Sequence, residues 1–455
     1  MTESVQVDHA HQQQMQAAFF TQLPQRWQVH PDPAAPYPMI VGLETEYLLI
    51  DADGRLIDEA TRDQILAALP HSSSELGTSS IETHTDPVPI AGAAHSLLQE
   101  ATKIERHAVQ AAKQFGARLV RIGAYPGAFS DLYVTQNSPR YQNLMDVSHA
   151  MHRVNGELPR VQVGAVTLPE LRCETMCGCQ STHLNIQMTN LPRTLHILNK
   201  AYELVPYLLA LSAHAALLDT TPTGYTEVRS LLWKPLFTFP HFDATHGVNT
   251  QRVGLPPAYY PDWDTYWQDV GEKFYSEPDP AHAFAANMKN FWRTVRIKPC
   301  PSDIHSCLLE IRSFSPQPTL PEDVALALLL TGLLHDPAWL DRPLLDIGLV
   351  GQNLDAASRD GLYAPLAWHT EDGAVVARPA TEIAAELLDL GETFWAARAV
   401  PEVELLELLR QRLHHPPASP ARKSLHLYEQ QLAAGHTRAA AAQSVLQAYA
   451  VEYAD

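Results

Sequence analysis

Three observations predict an α+β fold for this chain. Residues 42–47, 80–85, 181–188 and 307–314 alternate apolar and polar side chains at period two, the mark of half-buried strands. Long stretches with helical spacing separate and follow them, without a regular strand–helix–strand repeat. With 45% apolar and 18% charged residues over 455 positions, the chain can bury a large core. Together these describe a sheet with helices packed on one face, followed by a helical C-terminal region.

Residues 1–38 read as a polar extension, with Gln12-Gln13-Gln14, several prolines and a short helical stretch at 15–20. His9 and His11 are expected to be exposed rather than metal-bound. Ordered structure is expected from Met39: a strand over 39–50, then the tight turn Asp51-Ala52-Asp53-Gly54. Helical spacing follows over 60–69, and a second strand over 80–85. Residues 93–115 form a long amphipathic helix with Leu97, Leu98, Ala101, Ile104, Ala108 and Ala111 on one stripe. A strand returns over 117–122, and 157–174 reads as a linker and strand edge. Residues 181–188 are a strand; 191–218 are helical, with Pro206 marking a kink or boundary. The Pro-, Gly- and aromatic-rich stretch 235–261 reads as ordered loop, with short helices over 262–275 and 281–291. A strand over 307–314 leads to a helix over 322–334 whose first turn is acidic, as the helix dipole favours. From Asp336 the pattern is nearly all helical, with segments over 380–397, 401–413 and 425–453. The expected divisions are 1–38, 39–335 and 336–455, the last packed on the sheet.

Lys plus Arg is 32 and Asp plus Glu is 51, a formal charge of −19. With no basic run, this argues against nucleic acid or an anionic membrane as partner, but not against a small anionic substrate held by local arginines or metal ions. Met1-Thr2-Glu3-Ser4 lacks a basic and an apolar signal region, and the apolar stretches 204–218 and 324–334 are shorter than the roughly 20 residues of a membrane span. A cytoplasmic location is expected. The cysteines are Cys173, Cys177, Cys179, Cys300 and Cys307. An odd number does not look like a disulfide framework, and Cys173-x-x-x-Cys177-x-Cys179 lacks the spacing of a zinc finger, so reduced, partly buried thiols are expected.

Four strands carry polar residues where apolar alternation alone would be expected. Glu44 and Glu46 project from one face, as do His183, Asn185 and Gln187, and as do Glu310 and Arg312; Glu82 lies opposite Ile81 and Thr83. For one strand, a solvent-exposed sheet face explains this. Several carboxylates on one concave face repel each other unless cations neutralise them, and carboxylates with one imidazole suit Mg²⁺ or Mn²⁺. An adjacent arginine points to an anion above the metals, most simply phosphate.

These residues resemble the glutamate–cysteine ligase type 2 group of carboxylate–amine ligases. Gly42-Leu43-Glu44-Thr45-Glu46 is similar to the family's G-x-E-x-E strand, and Glu82-Thr83-His84-Thr85 to its E-x-x-T strand. Gly123-Ala124-Tyr125-Pro126 stands where the family has a G-x-H-P turn, and Pro139-Arg140-Tyr141 resembles its P-R-Y segment. His183-Leu184-Asn185 matches its H-x-H or H-x-N strand. Residues 208–213 with Thr223-Gly224-Tyr225 through Arg229, and Glu310-Ile311-Arg312, complete the ordered set over about 39–334. Tyr125 in place of histidine, and Asn185 where many members have a second histidine, bear on substrate identity more than on reaction type.

The resemblance implies an antiparallel, glutamine synthetase-like catalytic sheet and an ATP-dependent ligase that forms an amide through an acyl phosphate. Glutamate–cysteine ligase is one reading; another acid–amine pair, or a catalytically silent homologue that binds nucleotide or metal, is the alternative. It implies that Glu44, Glu46, Glu82, His183 and Glu310 hold Mg²⁺ or Mn²⁺, with Glu75 as a further acid or else a solvated loop residue. Arg312 would contact the transferring phosphoryl group. Arg229 would bind phosphate or substrate carboxylate unless it pairs with Glu227. Asn185 would position a substrate polar group, and Arg140 would contact an anion or lie free on the surface. The implied partners are ATP and small amino-acid substrates, with homo-oligomerisation left open. No P-loop or G-x-G-x-x-G is present, so ATP would be held on the sheet.

Overall fold

Polar–apolar alternation gives each strand one wet and one dry face, and the strands pair so that dry faces meet helices. The computed structural model describes residues 10, 14 and 39–453, apart from 93–94, 156–159, 169–172, 189–190, 272–287, 300–306 and 371–372. The polar extension with its 15–20 helix, His9 and His11, most of the 281–291 helix, the Cys173 side chain and Cys300 lie outside the described residues.

Among the described residues the main sheet has eight strands: β1 (Ile40–Ile50), β2 (Ser72–Ser74), β3 (Ser80–His84), β4 (Val88–Pro89), β5 (Arg118–Val120), β6 (Thr182–Met188), β7 (Val295–Pro299) and β8 (Cys307–Phe314). Their order is β7-β8-β6-β1-β3-β2, with β4 and β5 paired to the two ends of β1. Every pairing is antiparallel, as α+β architecture requires.

The helices used below are α1 (Leu97–Gln114), α2 (Pro139–His152), α3 (Leu191–Ser212), α4 (Arg229–Leu236), α5 (Leu320–Leu333), α6 (Ala380–Ala396), α7 (Leu406–His414), α8 (Pro420–Ala433) and α9 (Arg438–Ala448). Val41, Leu43, Leu184, Ile186, Val295, Ile297, Leu309 and Ile311 share one dry face and one core with α3 and α5. α5 is apolar on every side and almost wholly buried. Capping boxes, Ser96 with Gln99 and Thr319 with Glu322, fix where α1 and α5 begin.

Four expectations need correction. The helix from 191 ends at Ser212 and runs through Pro206, because the next backbone groups are taken by other segments. Gly123 N donates to His214 O at 3.1 Å, and Ala215 N to Thr226 O at 3.1 Å. Residues 425–453 are not one helix: Gly435, at φ 88°, and the Thr437 cap separate α8 from α9. The region after Asp336 contains an antiparallel hairpin, Pro365–His369 with Val375–Pro379. The 235–261 stretch holds a helix, Pro240–His246, and a short strand, Val253–Gly254.

Ile383, Leu387 and Leu388 of α6 are buried in the same core as the dry face of the sheet, and Val451 N donates to Leu119 O beside β5. We propose that residues 39–453 unfold as one unit rather than as two tethered domains. Leu388→Ala is then expected to cost about 2–5 kcal/mol and to shift a single transition. Two resolved transitions in denaturant, only one of them moved, would contradict this.

Candidate active site

Residues directly opposite each other in an antiparallel sheet project to the same side. The register makes one row of Arg296, Glu310, Asn185 and Gly42 across β7, β8, β6 and β1. A second row is His183, Glu44 and His84 across β6, β1 and β3. A third is Glu46, Glu82 and Ser73 across β1, β3 and β2. Glu44, Glu46, Glu82, His183, Asn185 and Glu310 thus stand on one face, opposite the apolar side chains of their strands.

Among the described residues, two groups bring ligand-type atoms within 4.8 Å of one another: Glu44, His183 and Glu310 in one, and Glu46, Glu82 and His183 in the other. His183 joins them. Its Nδ1 is 3.2 Å from Glu44 Oε2 and 3.7 Å from Glu82 Oε1, and its Nε2 is 2.7 Å from Ser181 Oγ and 3.9 Å from Glu46 Oε1. Oxygen donors with one imidazole fit Mg²⁺ or Mn²⁺. The geometry fits too, since each group converges on one point from separate strands.

A cleft of about 360 Å³ opens over this face, a size that suits a small-molecule site. Glu75 lines it, half-buried, and accepts from Tyr141 Oη at 3.2 Å, so it is not a solvated loop acid. It belongs to neither ligand group. Arg140, at the start of α2, is exposed at the rim and also lines the cleft. Arg312 Nη1 donates to Glu310 Oε2 at 2.9 Å. Arg229, at the start of α4, does not pair its guanidinium with Glu227. Its Nη1 donates to Ser315 Oγ at 3.1 Å and its Nη2 to Arg312 O at 3.2 Å, while Ser315 donates to Glu227. Asn185 is buried, and its Oδ1 has no hydrogen-bond partner among the described residues, an acceptor left open on the polar face. Cys179 lines the cleft and burial pushes its thiol up to about 12; Cys177 and Cys307 are buried.

The two halves of the site differ in charge. Burial pushes Glu46 up to about 8, helped by the Glu75 charge. Burial also raises Glu82 far above the ordinary carboxylate range, with the charges of Glu75, Glu44 and Glu46 adding to it. Burial works against ionisation of Glu44 and Glu310 as well, but there it is outweighed. The His183 hydrogen bond and the Lys298 ammonium hold Glu44 down at about 2, and Arg296, Arg312 and Lys298 hold Glu310 well below its usual value. Burial, then the Arg312 charge, lowers His183 to about 4, so the imidazole is neutral and free to act as a ligand at neutral pH.

Arg296 and Lys298 were not among the residues read from the sequence. Val295-Arg296-Ile297-Lys298 carries the signal that identified the other strands, polar side chains at period two between buried apolar ones.

The sequence pattern of glutamate–cysteine ligase family 2 matches residues 40–443. The chain belongs to that family. A relative from Mycobacterium sp. (strain KMS), provisionally named glutamate–cysteine ligase 2-2, is 25% identical over 210 residues, 45% of this chain and 50% of that one. One from Salinispora arenicola (strain CNS-205), provisionally named glutamate–cysteine ligase 2, is 27% identical over 227 residues, 48% of this chain and 53% of that one. The chain spans about half the length of these relatives. Among solved structures, the glutamate–cysteine ligase of Francisella tularensis in complex with AMP aligns with a TM-score of 0.56 and 13% identity, over 91% of this chain and 88% of that one. A bifunctional glutathione synthetase from Pasteurella multocida aligns with a TM-score of 0.53 and 15% identity, over 96% of this chain and 54% of that one. These likenesses carry the fold: the family's antiparallel, glutamine synthetase-like sheet. Among the described residues no helix is long and apolar enough to cross a membrane.

Proposed function

We propose that this chain is an ATP-dependent carboxylate–amine ligase. The observation that carries the reading is the pair of carboxylate–imidazole groups sharing His183, with Arg312 and Arg229 in the same cleft. A carboxylate resists attack by an amine because its charge is delocalised and repels the incoming lone pair. Its oxygen attacks the γ-phosphorus of ATP, ADP leaves, and an acyl phosphate results. The amine nitrogen then bonds to the acyl carbon, the carbon–oxygen bond to phosphate breaks, and the amine proton passes to solvent.

Each residue has a task in that sequence. Glu44, His183 and Glu310 in one group, and Glu46, Glu82 and His183 in the other, would hold Mg²⁺ or Mn²⁺, with Glu75 as a further acid lining the cleft. Such ions, when bound, neutralise phosphate and carboxylate charge and align the two anions. Arg312 stabilises charge on the transferring phosphoryl oxygens. Arg229, anchored by Ser315 and the Arg312 carbonyl, presents its charge to phosphate or substrate carboxylate. Asn185 offers its open acceptor to a substrate donor, and Arg140 at the rim meets an anion on entry. No nucleophilic side chain is needed.

The finer reading is glutamate–cysteine ligase. It draws on the provisional names of the family relatives, and the AMP held by the Francisella tularensis enzyme supports a nucleotide in the cleft. A screen of amino-acid pairs with Mg-ATP, read as ADP release, tests both levels. ADP release that needs glutamate and cysteine together supports the finer reading. Release with another pair keeps the ligase and rejects that specificity. No release with any acid–amine pair, from protein that binds ATP, rejects the ligase.

A further inference from the structure

Glu310 is contacted by three cations of this chain. Arg296 Nε and Arg312 Nη1 both reach Oε2, and Lys298 Nζ lies 2.7 Å from Oε1. The same ammonium is 2.8 Å from Glu44 Oε1. Lys298 therefore bridges the two acids that, with His183, form one of the two ligand groups. It comes from β7, two residues beyond the Arg296 that faces Glu310, so its stem lies on the site face of the sheet.

The other group is treated differently. Among the described residues, no lysine or arginine forms an ion pair with Glu46, Glu75 or Glu82. Glu46 accepts from Ser181 N at 2.6 Å, Glu82 faces Ser73 Oγ at 3.4 Å and His84 at 3.6 Å, and Glu75 faces Tyr141 Oη. The hydrogen-bond partners of these three acids are neutral donors and imidazoles, while Arg140, Arg229 and Arg312 act on them through their charge without an ion-pair contact. The sheet thus carries two carboxylate groups of similar ligand composition, one in direct contact with cations of the chain and one that no lysine or arginine contacts among the described residues.

We propose that Lys298 is a resident cation in the Glu44–His183–Glu310 group. The nucleotide-free enzyme then binds one divalent ion, at Glu46–Glu82–His183, and an ion enters the other group only by displacing the ammonium. This rests on the reading above that these groups hold divalent ions. Two like charges cannot share a position bounded by the same two carboxylates, so entry of an ion must break both Lys298 contacts. A tethered ammonium does not diffuse away, so it keeps competing at high effective concentration.

Mn²⁺ titration of the full chain without nucleotide, with free ion followed by electron paramagnetic resonance, tests the proposal. The wild-type chain is expected to bind one ion tightly. Lys298→Met, which keeps the apolar stem and loses the charge, is expected to bind a second ion at least about tenfold more tightly than wild type does. Lys298→Arg should behave as wild type. Glu82→Gln should remove the single wild-type ion, and Glu44→Gln should leave it. Those two variants test the assignment even if Lys298→Met does not fold, which circular dichroism would reveal. Two equivalent ions in wild type, an unchanged count in folded Lys298→Met, or loss of the single ion in Glu44→Gln each overturn the proposal while leaving the divalent-ion reading intact. Absence of any bound Mn²⁺ in both wild type and Lys298→Met overturns that reading, and the proposal with it.

Discussion

Arg312→Ala is expected to lower kcat about 10²–10³-fold at saturating metal and ATP, with a smaller change in ATP binding. Arg312 sits two residues from Glu310 on β8 and donates to it at 2.9 Å, so its charge is held at the edge of the ligand groups. A preorganised guanidinium matters most when negative charge redistributes over the phosphoryl oxygens. The competing account is that Arg312 only balances Glu310. That account is weakened by Arg296, which also contacts Glu310 and would still balance its charge after the substitution. Arg312→Lys should restore activity in part, because lysine keeps the charge and lacks the planar fork. A kcat near wild type in Arg312→Ala would reject the catalytic role.

Strands with strict alternation were legible because each repeats one physical rule: apolar side chains toward α1, α3 or α5, polar ones toward the cleft. That rule gave Glu44, Glu46, Glu82, His183 and Glu310 a common face before any register was available, and the pairings Glu44 with His183 and Glu46 with Glu82 place them there. It applied equally to Arg296 and Lys298, but β7 is only five residues long and ends in Pro299, so its alternation is brief. Short strands such as β2 and β4 have too few residues to show a period at all. The end of α3 was not legible either. His214 and Ala215 continue an apolar helical pattern, and only partners distant in sequence, Gly123 and Thr226, take up their backbone groups. Glu75 shows the limit at single residues. Its exposure is set by Tyr141 on α2, 66 positions away, which no local pattern encodes.

Glu82→Gln is expected to separate function from stability. Turnover should fall at least about 100-fold, since even the partners of metal ligands cost about 10–100-fold when removed. The metal-free chain should be as stable as wild type or more stable at pH 7, by about 1 kcal/mol. Glu82 is buried and close to the like charges of Glu75, Glu44 and Glu46, and among the described residues no lysine or arginine pairs with it. Its contact with Ser73 Oγ, at 3.4 Å, survives in the amide oxygen of glutamine. The sign follows from the raised carboxyl. The folded chain binds the Glu82 proton more tightly than the unfolded chain does, so wild-type stability falls as pH rises above the unfolded value of roughly 4. Glutamine carries no such penalty, and the gap between the two should narrow as pH falls toward 4, where the unfolded carboxyl also takes up its proton. Adding Mg²⁺ reverses the order, because wild type gains stability by binding and the variant does not. Thermal unfolding at pH 4 and pH 7, with and without Mg²⁺, reads all of these terms. A metal-free variant well below wild type at pH 7 would mean that Glu82 supports the fold, and unchanged turnover would remove it from the site.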